Sequence, residues 1–161
     1  GPGSDIYQKG AWILHTLRHL IGDEDFFAAT RKLVYKTTTP KPGNFEPHFA
    51  DTQYFIDAVN QQTGADYTWF FEHYLYTAKL PKLVEKQSGT QLLLHWETHN
   101  DAPFSMPVEV SVDGVIHTLE VGKQPVSLEL KSADIHYIVD PQHKILKQLD
   151  YIDEYSDYQA E

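Results

Sequence analysis

Cysteine is absent from this chain of 161 residues, which excludes disulfide frameworks, thiol nucleophiles and cysteine-ligated zinc. The compartment stays open, because exported and cytosolic proteins can both do without it. Basic charge is scarce as well: 13 Lys and Arg stand against 23 Asp and Glu, a net charge of −10, and the only arginines are Arg18 and Arg31. Phosphate backbones are held by basic stripes, so neither DNA nor RNA is an expected partner. No apolar run approaches the roughly 18 residues of a membrane span, and no signal-peptide pattern opens the chain. A Gly-rich phosphate loop, a G-x-S-x-G elbow and an H-E-x-x-H zinc motif are missing too.

What is present reads as an ordinary globular protein, 41% hydrophobic and 22% charged. A chain of this size buries roughly 70% of the surface it exposes when unfolded, enough for a core without staples. Gly1-Pro2-Gly3-Ser4 reads as the scar of a cleaved expression tag, outside any fold argument. With Asp5 as the first native residue, the chain is expected to be a piece of a longer protein. At the other end, residues 150–161 carry five acids and no base, the pattern of a solvated acidic tail.

Between these ends the hydrophobic period changes once. Ile6, Gly10, Ala11, Ile13, Leu14, Leu17, Leu20 and Ile21 fall on about half of a helical wheel, interrupted only by Arg18. Gly22 is a natural stop, and Asp23 is placed to cap a second helix whose apolar positions are Phe26, Phe27, Leu33 and Val34. A proline-rich loop over 37–50 leads to a third helix capped by Asp51 or Thr52 and ended by Gly64. Asp66 opens a short aromatic helix over 67–76, in which Trp69, Phe70, Tyr74 and Leu75 are too apolar to face water together. After Leu80-Pro81 the period becomes two: Gln91–Glu97; Val108, Val110 and Val112; 115–121 behind the turn Asp113-Gly114; Val126, Leu128 and Leu130; and 136–139. These are expected to be half-buried antiparallel strands, about six in all, forming a small sandwich. The fold class expected is therefore α+β, a helical part followed by an antiparallel β-sandwich.

Few residues carry an obvious chemistry. His15-Thr16-Leu17-Arg18-His19 spaces two imidazoles on one helix face, as zinc requires. Thr16, however, stands where a general-base glutamate would be needed, and His15 and His19 share the polar side of the wheel with Gln8. They read as solvated histidines, and no residue of this chain is assigned as a metal ligand. Asp23-Glu24-Asp25 suits a helix N-terminus through the macrodipole and needs no catalytic role. Two features resist such readings. Gly10 lies inside the first helix, where glycine costs about 1 kcal/mol relative to alanine, which suggests a close neighbour. Trp12 projects among Gln8, His15, Thr16 and His19, as if toward a partner surface.

Taken in order, these elements resemble the gluzincin zinc aminopeptidases, the family that includes aminopeptidase N and leukotriene hydrolase. Tyr7-Gln8-Lys9-Gly10 is similar to the family's Y-x-K-G helix start, and Leu20-Ile21-Gly22-Asp23-Glu24-Asp25-Phe26 to its L-x-G-x-x-x-F segment. Thr52 with Phe55, 64–71, Leu80-Pro81-Lys82-Leu83 and Val139-Asp140-Pro141 with Ile145-Leu146-Lys147 continue the likeness. Tyr74 stands where the family often has tryptophan, a change read as packing. The resemblance implies that Tyr7 is catalytic, its phenol donating to the oxyanion formed when zinc-activated water attacks a peptide carbonyl. A tyrosine phenol suits that role, being ordinarily protonated at neutral pH.

The implied division is 1–4 tag remnant, 5–81 the end of a thermolysin-like catalytic lobe, 82–148 the sandwich and 149–161 the tail. Zn²⁺ would belong to the parent enzyme and not to this chain, which is expected to be inactive alone. Its partners would be the peptide substrate, the missing catalytic segment and, with that segment gone, a second copy by self-association. A non-catalytic module binding protein or glycan is the rival reading. An H-E-x-x-H upstream of Asp5 separates the two.

Overall fold

The computed structural model describes residues 4–43 and 48–149, so residues 1–3, expected to be a tag remnant, and residues 150–161 of the expected tail lie outside the described residues. The chain divides between Glu72 and His73 into two compact units.

The first unit is helical. Helix α1 (Ser4–Ile21) stops at Gly22, whose φ of 84° only glycine adopts without strain, and α2 (Asp23–Tyr35) turns back beside it. Gly22, not Asp23, is the N-cap of α2, and it makes no side-chain cap. Asp23 instead takes both nitrogens of Arg18, Nε at 2.7 Å and Nη2 at 2.8 Å. That fork, more than a capping bond, ties the two helices, and Arg18 also lies 4.9 Å above the Phe27 ring. Hydrogen bonding and charge from Arg18 hold the Asp23 carboxyl below its usual range. Asp51 caps α3 (Thr52–Thr63) by accepting from Tyr54 N at 2.8 Å, and Gly64 ends it at φ 71°. Asp66 then accepts from Thr68 N at 2.9 Å to open α4 (Thr68–Tyr74).

The core of this unit is narrower than the apolar pattern suggests. Its buried residues are Ile13, Thr16 and Leu17 of α1, Ala28 and Ala29 of α2, and Ile56, Ala58, Val59, Phe70 and Phe71. Phe27 and Val34 stay 42% and 43% exposed, whereas the small Ala28 and Ala29 are the buried residues of α2. Thr16 is buried despite its place among the polar residues of the wheel. Its hydroxyl donates to Trp12 O at 2.9 Å, which satisfies it inside the helix.

The second unit holds six strands in two three-stranded antiparallel sheets: β1 (Lys82–Ser88), β2 (Gln91–Glu97) and β5 (Val126–Glu129) in the order β1-β2-β5; and β3 (Ser105–Val112), β4 (Val115–Gly122) and β6 (Tyr137–Val139) in the order β4-β3-β6. Leu92, Leu94 and Trp96 from β2 and Met106, Val108, Val110 and Val112 from β3 are buried at every second position, as two inward faces of a sandwich require. Asp113 (φ 48°) and Gly114 (φ 80°) make the two-residue turn between β3 and β4, with Val112 opposite Val115. Two departures have one cause. Strand β1 carries no alternating signal, because Glu85–Ser88 are exposed at a sheet edge. Strand β4 is expected to be half-buried, yet only Val121 is buried, because β4 is also an edge.

The end of the second unit is tied down by polar groups. Tyr74 is fully buried, and its hydroxyl donates to Leu146 O at 2.8 Å. Burial, and secondarily the charge of Asp140, push its phenol up. Asp140, 2% exposed and at φ 50°, accepts from Lys144 N at 2.8 Å and from Lys147 Nζ.

Candidate functional site

Helix α1 presents the residues singled out for chemistry. Tyr7 stands in its first described turns with its side chain 83% exposed, and among the described residues nothing hydrogen-bonds its phenol. One and two turns on, Ala11 and Leu14 point to the same side, and both are exposed, Leu14 by 43%. The apolar half of the α1 wheel is thus wider than the stripe its own unit covers. Ile13 and Leu17 are buried at one margin, whereas Tyr7, Ala11 and Leu14 stay bare at the other. Gly10 lies between the margins, and a Cβ built on it meets nothing within 4 Å. The close neighbour that a mid-helix glycine suggests is therefore not found among the described residues.

Trp12 is 43% exposed and meets His15 edge to face, with ring centroids 5.6 Å apart. With Ala11 they line a shallow hollow of about 300 Å³. A larger hollow of about 660 Å³ lies away from α1, lined by Tyr35, Thr37, Thr39, Pro40, Lys41, Pro42 and Gly43. Among the described residues its lining holds no carboxylate or imidazole to work as an acid or base.

Zinc in a catalytic site takes three protein ligands and leaves a fourth position open. Among the described residues no three His, Asp, Glu or Cys side chains gather in one place. His15 and His19 share a helix face, but no carboxylate or third imidazole joins them. Sequence reasoning misses Ala11 and Leu14 as surface residues. No sequence signal separates a stripe covered by its own fold from one left for another segment.

No protein-family model matches the chain, and no curated protein does. Among solved structures the chain is similar to Legionella pneumophila aminopeptidase A, crystallised in complex with aspartic acid, at 16% identity and a TM-score of 0.48. The match covers 84% of this chain and 15% of that one, so the chain spans about 15% of the length of that protein.

Proposed function

We propose that this chain is the C-terminal part of a zinc-dependent aminopeptidase of the gluzincin type, which removes N-terminal residues from peptides. Tyr7 serves as its oxyanion donor. The order of the motifs from Tyr7-Gln8-Lys9-Gly10 to Ile145-Leu146-Lys147 supports the reading, and one structural observation carries it. A tyrosine in the opening turns of a packed helix holds its phenol out in the open, 83% exposed, beside an apolar stripe that its own unit leaves bare.

The chemistry asks one thing of Tyr7. As a nucleophile adds to the scissile carbonyl, the oxygen gains negative charge, and a donor already in place stabilises that charge without reorganising. The phenol supplies the donor, and the rigid α1–α2 hairpin fixes where it stands. The segment bearing the metal ligands packs on the bare margin of Tyr7, Ala11 and Leu14. Zinc is held by that segment, and the chain alone has no activity of its own.

The test is Tyr7→Phe in the longer protein, which keeps ring and helix and removes one donor. Loss of a single oxyanion donor costs about 10² to 10³ in kcat, roughly 2.7 to 4 kcal/mol, with KM little changed. Zinc content and melting temperature stay at wild-type values. A variant that melts earlier but turns over aminoacyl anilides normally returns Tyr7 to a packing role.

A further inference from the structure

Strand β4 lies at one edge of its sheet, and β3 shows which way its backbone points. Glu109 O accepts from Asp140 N at 2.8 Å, and Asp113 N donates to His136 O at 3.3 Å. The odd-numbered residues of β3 therefore turn their backbone groups toward β6. The even ones, Met106, Val108, Val110 and Val112, serve β4 through Val121, Leu119, His117 and Val115. Pro107 fits this parity: having no N–H, it sits at an odd position and withholds nothing from the β3–β4 ladder. The N–H and C=O groups of Ile116, Thr118 and Glu120 consequently point away from the sheet, and among the described residues nothing pairs with them.

Proteins commonly guard such edges with charge, proline, shortness or cover. Strand β1 carries Lys82, Glu85 and Lys86, and its Gln87 is bonded to Ala133 O at 2.7 Å. Strands β5 and β6 are short, at four and three residues. Strand β4 has only one charge, Glu120, as a guard. It runs eight residues in unbroken register, contains neither lysine nor proline, and exposes Val115 by 59% and Ile116 by 48%.

We infer that β4 pairs edge to edge, antiparallel, with β4 of a second copy of this chain. The strand is complementary to itself. Centred on Thr118, the pairing sets Thr118 opposite Thr118 and Ile116 opposite Glu120 on one face. On the other it sets His117 opposite Leu119 and Val115 opposite Val121. The single acid never meets its like, which matters in a chain of net charge −10. One strand pair makes a small interface, below the roughly 1,200 Å² of stable complexes, so the dimer is weak and depends on concentration.

Sedimentation equilibrium of the whole chain over a range of concentrations tests this. The expected result is a monomer–dimer equilibrium. Thr118→Pro removes an outward N–H and leaves the β3 ladder whole. Ile116→Glu sets a like charge opposite Glu120 of the other copy. Each weakens the dimer by about tenfold or more, the first through one or two lost hydrogen bonds and the second through two like-charge pairs, while circular dichroism and the melting temperature stay at wild-type values. If Thr118→Pro does not fold, Ile116→Glu decides alone. A wild-type chain that stays monomeric at every concentration overturns the inference, including one that captures an extended peptide instead of itself. So does a dimer that survives both variants but yields to Leu14→Glu on α1.

Discussion

Gly10→Ala measures what surrounds α1. Gly10 is more than a turn inside α1, away from the fraying end, and it is not among the residues with positive φ. Among the described residues, nothing beyond its own helix backbone and chain neighbours lies within 4 Å of the position its Cβ would take. Alanine therefore brings no clash, and its gain comes from helix propensity and a less entropic unfolded chain, about 0.5–1 kcal/mol. For a chain of this length that raises the melting temperature by roughly 2–4 °C per kcal/mol. Thermal and urea unfolding, followed by far-UV circular dichroism, should agree in sign. In the longer protein the same methyl is expected to lose this gain, because the segment proposed to pack on the bare margin meets α1 next to Gly10. A chain destabilised by Gly10→Ala would refute the reasoning, since it would mean that something in the isolated chain already presses on that backbone.

Other outcomes follow from the polar anchors. Asp140→Asn leaves Lys147, only 16% exposed, with its charge uncompensated, and is expected to cost about 3 kcal/mol in urea unfolding. Tyr74→Phe removes the hydrogen bond to Leu146 O and costs about 1 kcal/mol, with no change in near-neutral pH dependence. Hydrogen bonds from the Thr68 hydroxyl and backbone hold the Asp66 carboxyl below its usual range. Its contribution is complete above the ordinary aspartate value of about 3.9 and disappears as the pH falls through the lower folded value. The melting temperatures of wild type and Asp66→Asn should therefore differ at neutral pH and converge in acid. A constant difference across the titration would count against this assignment.

Much of the local architecture is legible in the residues because its causes are local. Gly22 and Gly64 end helices where φ turns positive, and Asp51 and Asp66 cap the elements that follow. Asp113-Gly114 turns one strand onto the next, and the alternation in Gln91–Glu97 returns that strand at its observed bounds. From these, the order of helices before strands follows. Tyr7 stands out only through the motif around it, since an amphipathic residue at a helix start is otherwise unremarked.

Coverage is what the tertiary structure decides. Periodicity marks the face of an element that gains from burial, and the neighbours that arrive determine how much of it is buried. On α1 the apolar residues span half the wheel, yet Ile13 and Leu17 are buried while Ala11 and Leu14 are not. On α2 the alanines are buried and Phe27 is left outside. The valines of β3 and β4 look alike in sequence. Val108 and Val110 are fully buried and Val115 is 59% exposed, because β3 is central in its sheet and β4 is an edge. Being central or at an edge, and being covered or bare, depends on contacts between residues far apart in the chain. For that reason the bare margin beside Tyr7 and the free edge of β4 come into view only in the folded molecule.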